Sequence, residues 1–252
     1  MRFTWFDLAF PWIGLGGALA LLVLLFGSRL LRSDPARSRW RDLVWLSWMA
    51  VVAYLLHNVE EYGVDLLGRR HAFPAALCAS LGLAPYPGCP IHPSFFLAVN
   101  IPLFWLAGPL AALLSPRHPL VGLSLYSVVV INALIHVLNA VVTGSYNPGL
   151  LTALAVFLPL SAWVGYACFG RGGLSYKAMA LLIVWGIVLH AILAVPMLLF
   201  ARGSISNAVL VWPQILNAAL LILIMWLGER WRGGTLLRTA GKPAGPTGRA
   251  AL

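Results

Sequence analysis

The sequence predicts an all-α fold, a polytopic membrane bundle of about seven transmembrane helices. Three observations carry that prediction. The 252 residues are 61% hydrophobic and 10% charged, against roughly 25% charged for a soluble domain. Seven apolar runs, 9–31, 43–67, 94–114, 119–142, 150–169, 176–200 and 207–228, each come near the roughly 20 residues that cross a bilayer. The basic residues are also unevenly divided between the segments that join those runs.

The first run reads as a retained helix rather than a cleaved signal. Only Arg2 and Asp7 precede it, no small-residue cleavage site follows, and the basic cluster Arg29, Arg32, Arg37, Arg39 and Arg41 comes after it. With the N-terminus outside, 13 of the 17 Lys and Arg residues fall on the inner side and 4 on the outer. The positive-inside rule asks for that bias. The expectation is therefore a multi-pass protein of a bacterial plasma (inner) membrane with a cytoplasmic C-terminus. The net charge of +10 needs no nucleic-acid partner, because topology and anionic lipid account for it. Residues 1–230 read as one transmembrane domain. Residues 231–252, rich in Gly, Pro and basic side chains, read as a disordered cytoplasmic tail.

The loop 68–93 joins the second and third runs on the expected outer side. It holds Cys78 and Cys89, where a disulfide is permitted. A bridge and two free thiols both remain open, and the spacing matches no zinc-finger or haem-attachment pattern.

The second run carries His57, Glu60, Glu61 and Asp65 in the stretch AYLLHNVEEYGVDLL. A charge at the centre of a membrane helix costs about 3 kcal/mol, and such residues face the interior and mark function. Glu60 and Glu61 follow His57 by three and four residues, so both carboxylates are predicted to flank the imidazole on one face. One nitrogen and two oxygen donors suit a first-row metal. The same set suits an acid–base pair, a carboxylate that orients the histidine, or an ion pair that serves packing. The fourth run adds Asn132, His136 and Asn139 at spacings that again share a face, and the sixth adds His190. Asn100 in the third run and Gln214 and Asn217 in the seventh fall at the same predicted depth. The polar residues thus converge on the outer half of the bundle. After the fourth run, Tyr146, Asn147, Pro148 and Gly149 make a turn sequence above His136.

The segment HNVEE at 57–61, the further histidine His136 and YNPG at 146–149 resemble, in order, the motifs of the HXXEE family of bacterial integral membrane proteins. That family has no assigned function, and its motifs are read as those of integral membrane enzymes. The resemblance implies His57, Glu60, Glu61, His136, Tyr146, Pro148 and Gly149 as functional residues. It implies no substrate.

The function expected from these residues is that of a metal-dependent membrane enzyme. The expected ligands are His57, Glu61, His136 and His190, with Glu60, Glu61 and Tyr146 as catalytic groups. A divalent metal would activate water for hydrolysis of a lipid or other apolar substrate. Three ligands and an open position favour zinc over iron. The alternatives are a di-iron oxidoreductase, a transporter or binding protein with a proton relay, and a b-type cytochrome with histidine axial ligands. A retinal protein is disfavoured, since Lys177 and Lys242 offer no mid-membrane Schiff base.

Overall fold

The structure is a computed structural model and describes residues 3–170 and 173–236. Among the described residues eight helices follow one another, with no strand. They are α1 (Trp5–Gly27), α2 (Leu43–Gly63), α3 (Ala72–Ser80), α4 (Ser94–Leu114), α5 (Pro119–Thr143), α6 (Leu150–Cys168), α7 (Tyr176–Ala201) and α8 (Asn207–Leu236). All but α3 are long and apolar enough to cross a membrane, so the protein is a multi-pass membrane bundle.

Helix ends differ from the expected boundaries for local reasons. Helix α1 begins at Trp5 rather than 9, because Thr4 and Asp7 form a capping box. The Thr4 amide donates to the Asp7 carboxylate at 2.6 Å, and the Asp7 amide donates to the Thr4 hydroxyl at 3.3 Å. Helix α2 stops at Gly63 rather than 67. Asp65 closes the turn that follows, accepting from the Leu67 and Arg69 amides and pairing with the Arg69 guanidinium at 2.7 Å. Helix α8 runs on to Leu236, so the expected tail starts inside it. The remainder of that tail, from 237, lies outside the described residues.

Helix α1 lies on α2, α2 packs on α4 and α5, and α7 and α8 close the bundle between α5 and α4. The share of each span that is buried identifies the centre: 78% of α2 and 72% of α5, against 22–44% of the other five spans. Gly186 lets α7 close on α5, for a Cβ there would lie 2.1 Å from the Ser127 carbonyl oxygen. Outward faces stay apolar, with Leu106, Val141, Val184 and Leu216 exposed, as lipid contact requires.

The two ends of the bundle are built differently. At the α3 end, Cys78 and Cys89 are buried and bridged, with Cα atoms 6.2 Å apart. Phe3 packs on His71 and Tyr86 there, and Asn207 bonds the chain at Pro90 and His92. At the opposite end Asp42 caps α2 through the Val44 and Trp45 amides. Glu229 of α8 reaches across to cap α5, accepting from the Leu120 amide at 2.6 Å and pairing with His118 at 2.8 Å.

Three spans contain a wide π turn: Val59–Gly63 in α2, Ile101–Ala107 in α4 and Ala153–Phe157 in α6. In α4, Pro102 lacks the N–H that a regular turn would use. The turn in α2 contains no proline and holds both glutamates. Wide turns of this kind occur at functional sites.

Candidate metal centre

Helix α2 delivers His57 in its last regular turn and Glu60 and Glu61 in the wide turn after it. Helix α5 delivers His136 about two turns before its end, and the loop 144–149 folds back over both histidines. His57, Glu60, Glu61 and His136 are all buried.

The spacing along α2 predicts both carboxylates beside His57, but the structure separates them. Glu61 Oε1 lies 3.4 Å from His57 Nε2 and 3.4 Å from His136 Nε2. Glu60 turns instead to the N-terminus of α6. It accepts from the Leu151 amide at 2.9 Å, the Thr152 amide at 2.7 Å, the Thr152 hydroxyl at 2.5 Å and the Tyr146 hydroxyl at 2.7 Å. The physical cause is the set of unpaired N–H groups and the positive dipole end at the start of a helix, which draw an anion. With four donors on its two oxygens, Glu60 acts as a cap rather than as a second ligand.

The surrounding hydrogen bonds place a proton on each imidazole Nδ1. The Thr152 hydroxyl has one proton, and the Glu60 carboxylate can only accept it. Toward His57 Nδ1, at 2.7 Å, the same hydroxyl must therefore accept, so His57 carries its proton on Nδ1. The Asn147 amide nitrogen donates to the His136 main-chain oxygen at 2.9 Å. Its Oδ1 then faces His136 Nδ1 at 2.6 Å and accepts a hydrogen bond from it. Both Nε2 atoms face the same Glu61 oxygen, and His57 Nε2 has no hydrogen-bond partner.

When both imidazoles are neutral, three acceptors meet there with no proton between them. The ligand atoms of His57, Glu61 and His136 all lie within 4.8 Å of one another and could hold a metal ion. The separations bear on what fits. A charge-assisted N–H···O bond closes to about 2.7–2.9 Å. Nitrogen and oxygen ligands about 2.0–2.2 Å from a tetrahedral zinc stand about 3.4 Å apart, which is the distance on both sides of Glu61 Oε1.

Each letter of the turn 146–149 has a place. Tyr146 accepts from the Leu66 amide at 3.1 Å and donates to Glu60. Burial first, then the Glu60 hydrogen bond, hold its phenol above the ordinary range, so it stays a donor. Asn147 orients His136, and Pro148 is buried. Gly149 has φ +99°, and a Cβ on it would lie 2.5 Å from His136 Cε1 and 2.7 Å from His57 Cε1. Only glycine allows the backbone to lie against both rings. Phe157 packs on the His57 ring from α6, with centroids 4.6 Å apart.

His190, the fourth expected ligand, is not among the atoms that meet. Its Nδ1 donates to the Gly186 carbonyl at 2.8 Å, and its ring lines a narrow cavity that also reaches Glu61. Asn100, Asn132, Gln214 and Asn217 line the same cavity, so the predicted common depth reflects a common interior. Asn139 is exposed and does not share the His136 face. Thr152 was not foreseen from sequence. The signal is a hydroxyl residue in the first turn after a glycine, where helix N-termini recruit such side chains.

No curated protein and no solved structure matches the chain. One family model does, that of a protein of unknown function with an HXXEE motif, over residues 48–164. The matched span contains His57, Glu60, Glu61 and His136, the turn that orients them, and Thr152. The segment that builds this centre, residues 48–164, is thus similar to the HXXEE family.

Proposed function

We propose that the chain is an integral membrane enzyme that holds one divalent cation, zinc, between His57, Glu61 and His136 and hydrolyses a lipid or other apolar substrate. The observation that carries this reading is the meeting of both Nε2 atoms and Glu61 Oε1, with each Nδ1 bonded outward to Thr152 or Asn147. A buried ionised carboxylate without compensation costs several kcal/mol, and a divalent cation offsets it.

A zinc ion bound there supplies Lewis acidity and a water of lowered pKa. The protein's own contribution is positional. Glu60 holds the start of α6, Thr152 relays that hold to His57, and Asn147 sets His136. Such outer contacts orient ligands and raise their basicity. Glu60 and Tyr146 are therefore proposed as positioning groups, and Glu61 as the carboxylate at the reacting centre.

Among the described residues one group of His, Cys, Asp and Glu side chains gathers ligand atoms in this way, and it contains one carboxylate. Di-iron centres of helical bundles draw four, which favours a mononuclear site. The buried acids toward the opposite end, Asp42 and Glu229, cap helices, which speaks against a proton relay across the bundle. We further propose that the α3 end faces outward from a bacterial plasma membrane. The 13 to 4 basic split and the Cys78–Cys89 bridge support that orientation.

The test is elemental analysis of protein purified without chelator. About one equivalent of zinc is expected, as for a single site, and His57→Ala, Glu61→Ala and His136→Ala should each lose most of it. Metal-free wild-type protein that is folded and active would overturn the proposal.

A further inference from the structure

The cavity beside Glu61 has a chemical bias of its own. It has about 70 Å³ in which the centre of a water-sized sphere fits, and its wall is largely apolar. Its polar groups come from α2, α4, α5, α7 and α8, and four of them are anchored by donating to the backbone. The Asn100 amide donates to the Phe96 carbonyl at 2.8 Å and that of Asn217 to the Leu189 carbonyl at 3.1 Å. The Gln214 amide donates to the Ile192 carbonyl at 3.2 Å. His190 Nδ1 donates to the Gly186 carbonyl. Each of these partners is a main-chain oxygen, which can only accept, so the orientation of these three amides is set and His190 carries a proton on Nδ1.

The Asn132 amide donates to the Tyr54 hydroxyl at 3.1 Å, and the Tyr54 and Tyr62 hydroxyls are also in the wall. The groups left wanting are two acceptors, the buried amide oxygens of Asn132 and Asn217, which have no hydrogen-bond partner. Asn217 is 6% exposed, and its Oδ1 is buried without a hydrogen-bond partner. A buried acceptor left unpaired costs about 1–3 kcal/mol, so a donor brought to it gains that amount. Among the described residues that line the cavity there is no lysine or arginine, so nothing there compensates an anionic headgroup. Glu61 is shared with two imidazoles, so no free countercharge is left for an ammonium.

We propose that this cavity selects uncharged apolar molecules that donate N–H or O–H hydrogen bonds beside the reacting group, and rejects phosphate-bearing lipids. The substrate class is then a long-chain amide or a hydroxylated lipid. This rests on the hydrolase reading above for the word substrate, while the selectivity rests on the cavity alone.

The test uses radiolabelled dodecanamide, with N,N-dimethyldodecanamide and dodecyl phosphate as competitors. The full chain is held in maltoside micelles, as zinc-loaded and zinc-stripped wild type. Saturable binding of dodecanamide is expected, with the dimethyl analogue, which has lost both N–H donors, about tenfold or more weaker. Dodecyl phosphate should not compete. Asn217→Leu should bring the amide-to-dimethyl ratio close to one with zinc content unchanged, and Gln214→Leu offers the same reading if the first variant does not fold. Equal competition by the two amides, displacement by dodecyl phosphate, or no saturable binding of dodecanamide would each overturn the proposal. Zinc content is read separately. A donor preference that persists in zinc-stripped protein upholds the cavity proposal even where the metal reading fails.

Discussion

Gly149 lies against both imidazoles at φ +99°, with less than 3 Å between its absent side chain and either ring. Gly149→Ala strains the backbone and pushes both rings out of position. The expected result is loss of most bound zinc with helical content retained, checked by elemental analysis beside circular dichroism. Thr152 is a subtler case. Its hydroxyl accepts from His57 Nδ1 and donates to Glu60, so Thr152→Val is nearly isosteric yet releases the histidine tautomer. Outer partners of this kind are worth about 10–100-fold in metal affinity. Competition with a zinc chelator should show that loss for Thr152→Val, and Thr152→Ser should restore the affinity. Equal affinity of all three would show that His57 is held by packing alone, on Phe157 and Tyr54.

At the scale of the element, adjacent glutamates in one π turn do different jobs. Glu60 caps α6 and Glu61 faces the histidines. Glu60→Gln keeps the shape but removes the charge at the helix N-terminus, and it turns one acceptor into a donor facing amides. A thermal midpoint lower by several degrees is expected, with zinc weakened but still bound. Glu61→Gln should do the reverse, losing zinc while the stability of the metal-free protein changes little. Identical behaviour of the two variants would remove this division of roles. The division was not legible in the sequence. Spacings of three and four count positions on a regular helix, and they are silent about the free N–H groups of α6 that compete for Glu60. The histidines were legible, because His57 and His136 are expensive at their depth and leave few structural explanations. His190 was read with them for the same reason, yet a main-chain carbonyl one turn earlier already satisfies its Nδ1.

For the whole molecule, composition and run length were enough for the seven-span bundle, since the bilayer leaves few other ways to satisfy the backbone. They were not enough for the Cys78–Cys89 pairing, which depends on how α3 folds the loop back. Orientation joins the two kinds of information. The structure puts the bridge, the turn 144–149 and the start of α8 at one end, while the basic residues concentrate in segments leading to the other. If the α3 end faces outward, a reporter fused after residue 145 should report the outside and one fused after residue 232 the cytoplasm. Thiol labelling without reductant should leave Cys78 and Cys89 unmodified, and reduction should expose both. The two measurements are independent, because a bridge forms only where the compartment oxidises it and the fusion reads side alone. The opposite fusion pattern, with both cysteines labelled as free thiols, would place the centre near the cytoplasmic face, where a substrate would have to arrive from the inner leaflet.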